Sequence, residues 1–344
     1  MSKDKVLKLF ESTYEKIGAN YFFRVMTAVY LFDFLDRLRV KKYPSGWYSL
    51  LDEQLKQLVV NFDFFTVSFD FSQNGFQNWK NSTSDQGVEF RTGKVYSDLW
   101  KDFKNEELFE QTFDILKERF EKNNILLSSV KLALDDGCGS GRYSFALKRL
   151  GCEAVRGIDI SREAVELARK INPFGLNEVS FTQGSVLDLP FDNETFDFVF
   201  SNGVLHHTKD DRKGLSEIYR VLKPGGKCWL YLYGGKDSLF WDIVDFGRKL
   251  VSEIPQAFTQ SLMSVMGYPP GRIFHRSDFL YVPLNKRYFT KEVEEMIVSA
   301  GFSDFRRLNR GVEYDWDEII YSNPGIDSYV FGEGEMRYLI EKVI

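Results

Sequence analysis

The chain has 344 residues, more than one minimal α/β domain needs, so extra elements or a second small domain are expected. Its composition is 43% apolar and 28% charged, the balance of an ordinary soluble globular protein, and a net charge of −5 offers no general attraction to nucleic acid. Aromatic residues reach 16%, with 32 phenylalanines, which points to large aromatic-lined surfaces or pockets.

Three cysteines, Cys138, Cys152 and Cys228, form no C-x-x-C pair and fall in or near predicted core elements, which fits a reducing compartment without disulfides. The start, Met1-Ser2-Lys3-Asp4-Lys5, has no signal-peptide pattern. The most apolar run, Tyr21 to Leu38, is interrupted by Arg24, Asp33 and Asp36, so no integral membrane segment is expected and the protein is placed in the cytoplasm.

Residues 1 to about 60 read as helices. Leu7, Phe10, Tyr14, Ile17 and Tyr21 recur at helical spacing, as do Val25, Val29, Phe32 and Leu35. Tyr43-Pro44-Ser45-Gly46 breaks the pattern before a further helix through Leu50, Leu51, Leu55 and Leu58. Such a cap packs on a core or on a second copy of the chain, so a homodimer through these helices is one expectation. Partial alternation over 61–71 (Phe62, Phe64, Phe65, Val67, Phe69, Phe71) predicts a strand or an aromatic lid. Residues 72–98 are polar and irregular, and 106–123 are helical, with Leu108, Phe109, Phe113, Leu116 and Phe120 on one face.

From about Val130 strands and helices alternate: strands over 130–135, 154–159, 178–182, 196–201 and 226–233, helices over 141–150, 161–171 and 211–222. That order predicts a Rossmann-like α/β fold, a mainly parallel sheet with helices on both faces. Ser161 is suited to cap the second of these helices. Between the first strand and its helix stands Asp135-Asp136-Gly137-Cys138-Gly139-Ser140-Gly141-Arg142. Such glycines let a ligand lie against bare backbone at a helix N-terminus. A nicotinamide fingerprint needs its third glycine where Arg142 stands. Asp135 and Asp136 would also repel a pyrophosphate, whereas a ligand with a free ammonium and no phosphate is welcome there. S-adenosylmethionine (SAM) is such a ligand. Asp159, at the tip of the second strand, is placed to accept hydrogen bonds from both ribose hydroxyls. Asn202 and Gly203 end the fourth strand, on the edge where open α/β sheets bind ligands.

After Tyr233 an insertion precedes the return to the core. It carries an amphipathic helix (Phe240, Ile243, Val244, Leu250, Val251, Ile254) whose other side shows Trp241 and Phe246. Two-sided apolarity suits a lid between the core and a lipophilic substrate or another subunit. Arg272 and Arg276 are candidates to clamp a substrate carboxylate or phosphate, with His275, Trp241 and Tyr233 as further lining. Thr290 is expected to cap a helix ended by Gly301. Phe302 to Leu308 and Glu335 to Val343 then supply a sixth and a seventh, antiparallel strand. No His, Cys and carboxylate group has metal-ligand spacing.

The glycine stretch resembles motif I of the class I SAM-dependent methyltransferases, in particular the small-molecule type that includes ubiquinone and menaquinone C-methyltransferases. Three further stretches resemble that family in order: Gly184-Ser185-Val186-Leu187-Asp188-Leu189-Pro190-Phe191, Phe196 to His207, and Val221-Leu222-Lys223-Pro224-Gly225-Gly226-Lys227. Asp136 departs from it, because the family usually carries an aliphatic residue there. The resemblance implies SAM held by Asp135, Gly137, Cys138, Gly139, Gly141, Asp159 and Ile160. It further implies adenine contacts from Ser185, Val186 and Asp188, a substrate-side wall at Asn202 and Gly203, and closure by Tyr96 and Trp100, which equally could anchor the next helix. His206 or His207 could accept a proton from the acceptor, although a histidine at the second position is often structural in this family.

The resulting expectation is a helical cap and cofactor-covering segment over 1–95, a SAM-binding core over 96–233, a substrate lid over 234–288 and completion of a seven-stranded sheet over 289–344. The expected reaction moves a methyl group to O, N or C of a small, apolar or aromatic acceptor. Arsenite methylation would need cysteines that are absent, and base amino-methylation would need an Asn/Asp-Pro-Pro-aromatic element where Ser201-Asn202-Gly203-Val204 stands. A non-catalytic binder of SAM or its product and a nicotinamide enzyme are the competing readings.

Overall fold

The structure, a computed structural model, describes residues 3–40, 47–68 and 105–343. In chain order these form α1 (Lys3–Ile17), α2 (Tyr21–Val40), α3 (Trp47–Ser68), α4 (Asn105–Lys122), β1 (Leu132–Asp136), α5 (Arg142–Arg149), β2 (Ala154–Asp159), α6 (Arg162–Ile171), β3 (Val179–Gln183) and β4 (Phe196–Asn202). A 3-10 turn (Leu205–His207) leads to α7 (Asp211–Val221) and β5 (Leu222–Leu232), followed by α8 (Leu239–Val251), α9 (Gln256–Val265) and α10 (Pro270–Tyr281). The chain closes with α11 (Thr290–Ser299), β6 (Asp304–Arg307), α12 (Trp316–Ser322), α13 (Ile326–Phe331) and β7 (Met336–Glu341). Two compact units result: Met1–Gln86 with Asp237–Tyr281, and Gly87–Lys236 with Val282–Ile344.

The second unit is built on a seven-stranded sheet of order β3-β2-β1-β4-β5-β7-β6. β1 to β5 pair in parallel, and β7 runs antiparallel between β5 and β6. Alternation along each strand sends side chains to two separate apolar layers. Leu134, Ile158, Val199, Leu205, Ile218 and Leu230 fill one face. Ala133, Val155, Phe198, Phe200 and Trp229 fill the other, beneath Phe120 of α4. The strand order reverses between β1 and β4, and in open α/β sheets that switch point opens a crevice at the carboxyl edge.

The other unit is helical. Phe10 stacks on Phe246 and Phe23 on Phe62, with ring centroids 4.6 and 4.1 Å apart. α8 and α10 approach closely because Gly247 has no side chain: a Cβ there would stand 2.9 Å from Leu280. The predicted strand near 61–71 is corrected, since residues up to Ser68 continue α3. Leu51, Leu55 and Phe62 all bury at helical spacing, so period 3.6 overrides the short run of alternation. The single helix expected after the fifth strand is three, α8 to α10.

Three smaller expectations also shift. β5 starts at Leu222, where Leu222 pairs with Phe196 ahead of an irregularity, so Pro224-Gly225 lies within the strand. Thr290 is the first residue of α11 and not its cap; Glu292 accepts the Phe289 N–H at 2.8 Å instead. Residues 316–331, left without an assignment in the sequence, hold α12 and α13. Ser161 does cap α6, its Oγ accepting the Ala164 N–H at 3.2 Å.

Arg276 does not stand open as a clamp. Its guanidinium is buried 2.5 Å from Asp33 and 3.6 Å from Asp36, both on α2, and Tyr268 donates to the same Asp33. Replacing Arg276 with alanine would leave that carboxylate without its cation and is expected to cost about 2 kcal/mol in urea unfolding. A loss below roughly 0.5 kcal/mol, the level of an exposed pair, would show that Arg276 contributes nothing to the helical unit.

Candidate active site at the carboxyl edge of the sheet

Two carboxylates end β1, and alternation sends them to opposite faces. Asp135 is buried and accepts the Ser144 hydroxyl of α5 at 2.5 Å; burial, with Asp159 nearby, pushes its carboxyl up to about 7. Asp136 is fully buried on the face of Leu134 and Val199, opposite the buried Ser201 of β4, and among the described residues neither of its oxygens makes a hydrogen bond of normal geometry. Burial pushes it up to about 8, so it is mostly neutral at pH 7.

The turn that follows keeps Gly137, Gly139 and Gly141 at φ of 83, 52 and 84°, the left-handed region that favours glycine. A Cβ at Gly137 would also lie 2.4 Å from Val204. Gly137 and Cys138 both donate their N–H to Ile158 O at 2.9 Å, which clips the loop to the end of β2. Cys138 is a buried packing residue whose thiol burial pushes well above its usual range, which removes it as a nucleophile. Ser140 is buried, and its hydroxyl has no partner among the described residues.

Asp159 meets this loop. One carboxylate oxygen accepts the Gly139 N–H at 2.9 Å and the other the Ser161 N–H at 2.8 Å. The two bonds fix the carboxylate plane. Ile160 is half-buried beside it, with its carbonyl accepting from Gln183 at 3.3 Å. Ser185, Val186 and Asp188 form a turn after β3: the Asp188 N–H donates to Ser185 O at 3.1 Å, Val186 is buried and the Asp188 side chain is exposed.

At the end of β4, Asn202 accepts the Trp229 indole N–H at 3.0 Å, and the Gly203 N–H donates to Tyr231 O at 3.1 Å. His206 and His207 follow in the 3-10 turn. His206 is buried, its ring stacked on Tyr233 at 3.8 Å, and its Nδ1 accepts the Tyr233 backbone N–H at 3.2 Å. The proton of the neutral ring therefore sits on Nε2, which is buried without a hydrogen-bond partner among the described residues. Burial holds this imidazole well below its usual pKa, so the sequence-based role of His206 as a proton acceptor does not fit its bonding. His207 Nδ1 lies 2.6 Å from Leu284 O, which makes that nitrogen the donor and anchors residues 282–288 against the turn. Lys286 N donates to His206 O and Tyr288 N to Tyr233 O in the same way, at 3.1 and 3.0 Å.

The predicted residues thus divide. Asp135, Gly137, Cys138, Gly139, Gly141, Asp159, Ile160, Ser185, Val186, Asp188, Asn202, Gly203, His206, His207 and Tyr233 all belong to the sheet unit. Trp241, Arg272, His275 and Arg276 belong to the helical unit. There Trp241 is buried against Phe240 and Phe279, Arg272 stands 3.8 Å from Asp36, and His275 is exposed beside Phe274. Tyr96 and Trp100 lie outside the described residues. Among the described residues no group of His, Cys, Asp and Glu could hold a metal ion, and no helix is long and apolar enough to cross a membrane. Sequence reasoning missed Tyr231 and Glu335, which hydrogen-bond across this edge, and Asn285, whose buried side-chain amide has no hydrogen-bond partner among the described residues. No motif marks them.

A family model described as a methyltransferase domain matches residues 134–230. The chain is 32% identical over 192 residues to the demethylmenaquinone methyltransferase of Oceanobacillus iheyensis, a match spanning 54% of this chain and 74% of that protein. It is 26% identical over 223 residues to the enzyme of the same name from Lactococcus lactis, spanning 58% of this chain and 83% of the relative. A third relative, the tRNA U34 carboxymethyltransferase of Campylobacter curvus, is 30% identical over 132 residues, 37% of this chain and 43% of that protein. With the seven-stranded sheet, the glycine turn and these relatives in agreement, the chain belongs to the class I SAM-dependent methyltransferases.

Proposed function

We propose that the chain methylates a small, apolar or aromatic organic acceptor, with SAM held along the carboxyl edges of β1, β2 and β3. The observation that carries this is the Asp159 carboxylate at the tip of β2, fixed beside the glycine turn by Gly139 and Ser161 N–H bonds. The residues present fit the cofactor. Asp135 and Asp159 flank the turn, its three glycines carry no side chains, and the buried Ser140 hydroxyl has no hydrogen-bond partner among the described residues. In this reading Asp159 takes the ribose hydroxyls, Asp135 the amino group, and Asp188 with Ser185 and Val186 the adenine. Bound SAM supplies a sulfonium methyl group reactive enough for in-line displacement. The protein aligns the acceptor, excludes water and receives a proton where the chemistry releases one. The aromatic set Tyr231, Tyr233, His206 and His207 favours a flat or apolar acceptor, and the net charge of −5 disfavours a polyanion.

Calorimetric titration with S-adenosylhomocysteine (SAH), with NAD as control, tests the reading. Asp135 binds an ammonium only as the carboxylate, and its carboxyl in the free protein titrates at about 7. The affinity for SAH is therefore expected to rise about tenfold from pH 6 to pH 8, with proton release on binding. Absence of SAH binding at both pH values would remove the reading. A flat pH response would remove Asp135 from it.

A further inference from the structure

The carboxyl edge of β5 carries a hydrogen-bonded pair outside all four sequence motifs. Tyr231 Oη donates to one Glu335 oxygen at 3.0 Å, and the other Glu335 oxygen accepts the Trp316 N–H at 2.9 Å. Arg337 Nη1 lies 2.8 Å from that second oxygen, and its guanidinium stands 4.9 Å over the Tyr231 ring. Behind the pair, Asp315 lies 2.6 Å from Arg119 and 3.1 Å from Arg337, and Asp317 lies 3.3 Å from Arg307. Three guanidiniums face three carboxylates, so the shell is close to neutral and holds Glu335 in one place.

Glu335 is buried, whereas Tyr231 is half-buried. Of the two, Tyr231 is the more exposed. Its ring lies beside the turn that ends β4, 3.7 Å from where a Cβ on Gly203 would stand. The His206 and Tyr233 rings are 6.2 and 6.1 Å away. Asn202, directly opposite Tyr231 in the sheet, is engaged with Trp229, and His206 has no lone pair to offer.

We propose that Tyr231 and Glu335 are the proton-accepting dyad of the methyl transfer, Tyr231 Oη taking the acceptor's hydroxyl proton while its own proton passes to Glu335. The proposal rests on the methyltransferase reading above. The acceptor oxygen forms the bond to the methyl carbon, the methyl–sulfur bond breaks with its electron pair left on sulfur, and the acceptor proton goes to Tyr231 Oη. The phenolic proton ends on Glu335, and no oxidant or reductant is needed. Burial supports this direction of transfer: it pushes the Glu335 carboxyl up against the pull of Arg337, and keeps the Tyr231 phenol protonated at rest. Tyr231 is the catalytic residue and Glu335 a positioning residue that acts through it.

The probe is 4-nitrocatechol, whose ionisation is read by absorbance between pH 5 and 9 on the full chain saturated with SAH. In the wild type the bound probe is expected to ionise at least about tenfold more readily than in Tyr231→Phe, since only the wild type offers its proton an acceptor. Glu335→Gln is expected to lose the same shift with the phenol still present. Tyr231→Phe removes one oxygen and keeps the ring, so it remains decisive if Glu335→Gln unsettles Arg337 and fails to fold. Equal ionisation in the wild type and Tyr231→Phe, or no binding of the probe to the SAH complex, overturns the dyad. Failure of SAH itself to bind would instead remove the methyltransferase reading.

Discussion

Asp159→Ala is expected to weaken SAH binding by roughly a hundredfold or more while leaving a cooperative unfolding transition. A hydrogen bond to a charged group contributes about 1.5–3 kcal/mol, so losing two ribose contacts removes roughly 3–6 kcal/mol of affinity. The carboxylate is already oriented by the Gly139 and Ser161 N–H groups before any ligand arrives, so little of its interaction is lost to ordering. The fold suffers less. Asp159 is half-buried, and water can replace it at both N–H groups, which limits the stability loss to about 1–2 kcal/mol. Calorimetry with SAH and a thermal melt of the same sample separate the two effects. An affinity equal to the wild type would sink the assignment of Asp159 to the ribose.

Asp136→Val is expected to stabilise the protein, and more at high pH than at low. The side chain is fully buried with neither oxygen in a hydrogen bond of normal geometry among the described residues, and valine keeps its branched shape without its polar atoms. The carboxyl titrates at about 8 in the fold against an ordinary value of about 3.9, so the folded state holds a proton that the unfolded chain has released. A group raised in this way contributes most stability below about pH 4 and loses it as pH rises through about 8. Asp135 and Asp317, each raised to about 7 by burial, act in the same direction. The valine variant should therefore gain roughly 3–4 kcal/mol more at pH 8 than at pH 5, with a shallower fall in stability between them. Urea unfolding at the two pH values decides it. A variant no more stable than the wild type at pH 8 would mean that Asp136 has a partner in solution.

These two carboxylates show how far the sequence reads. Asp159 was legible because it ends a strand one βαβ unit after a glycine turn, and everything that positions it lies within about 25 residues. Asp136 stood out as a departure from the family pattern, but its burial became visible only when the sheet placed it opposite the buried Ser201 of β4. His206 invited a catalytic role by type. Its tautomer followed from a backbone N–H 27 residues away, at Tyr233.

The order of strands and helices, the antiparallel last pair, the glycine turn and the acidic tip of β2 were all determined by local pattern: period 2 against 3.6, and glycine where φ is positive. The phenylalanine run at 61–68 was decided otherwise, because a short apolar run has no period of its own and the partners of Phe62 across the helical unit choose for it. Charge pairing was likewise left to the tertiary structure. Arg276 finds Asp33 across 243 residues, Arg119 finds Asp315 across 196, and Tyr231 finds Glu335 across 104. An arginine looks the same in sequence whether it awaits a substrate or a carboxylate of its own chain. Chain folding, which brings distant segments within hydrogen-bond reach, settles which of the two it meets.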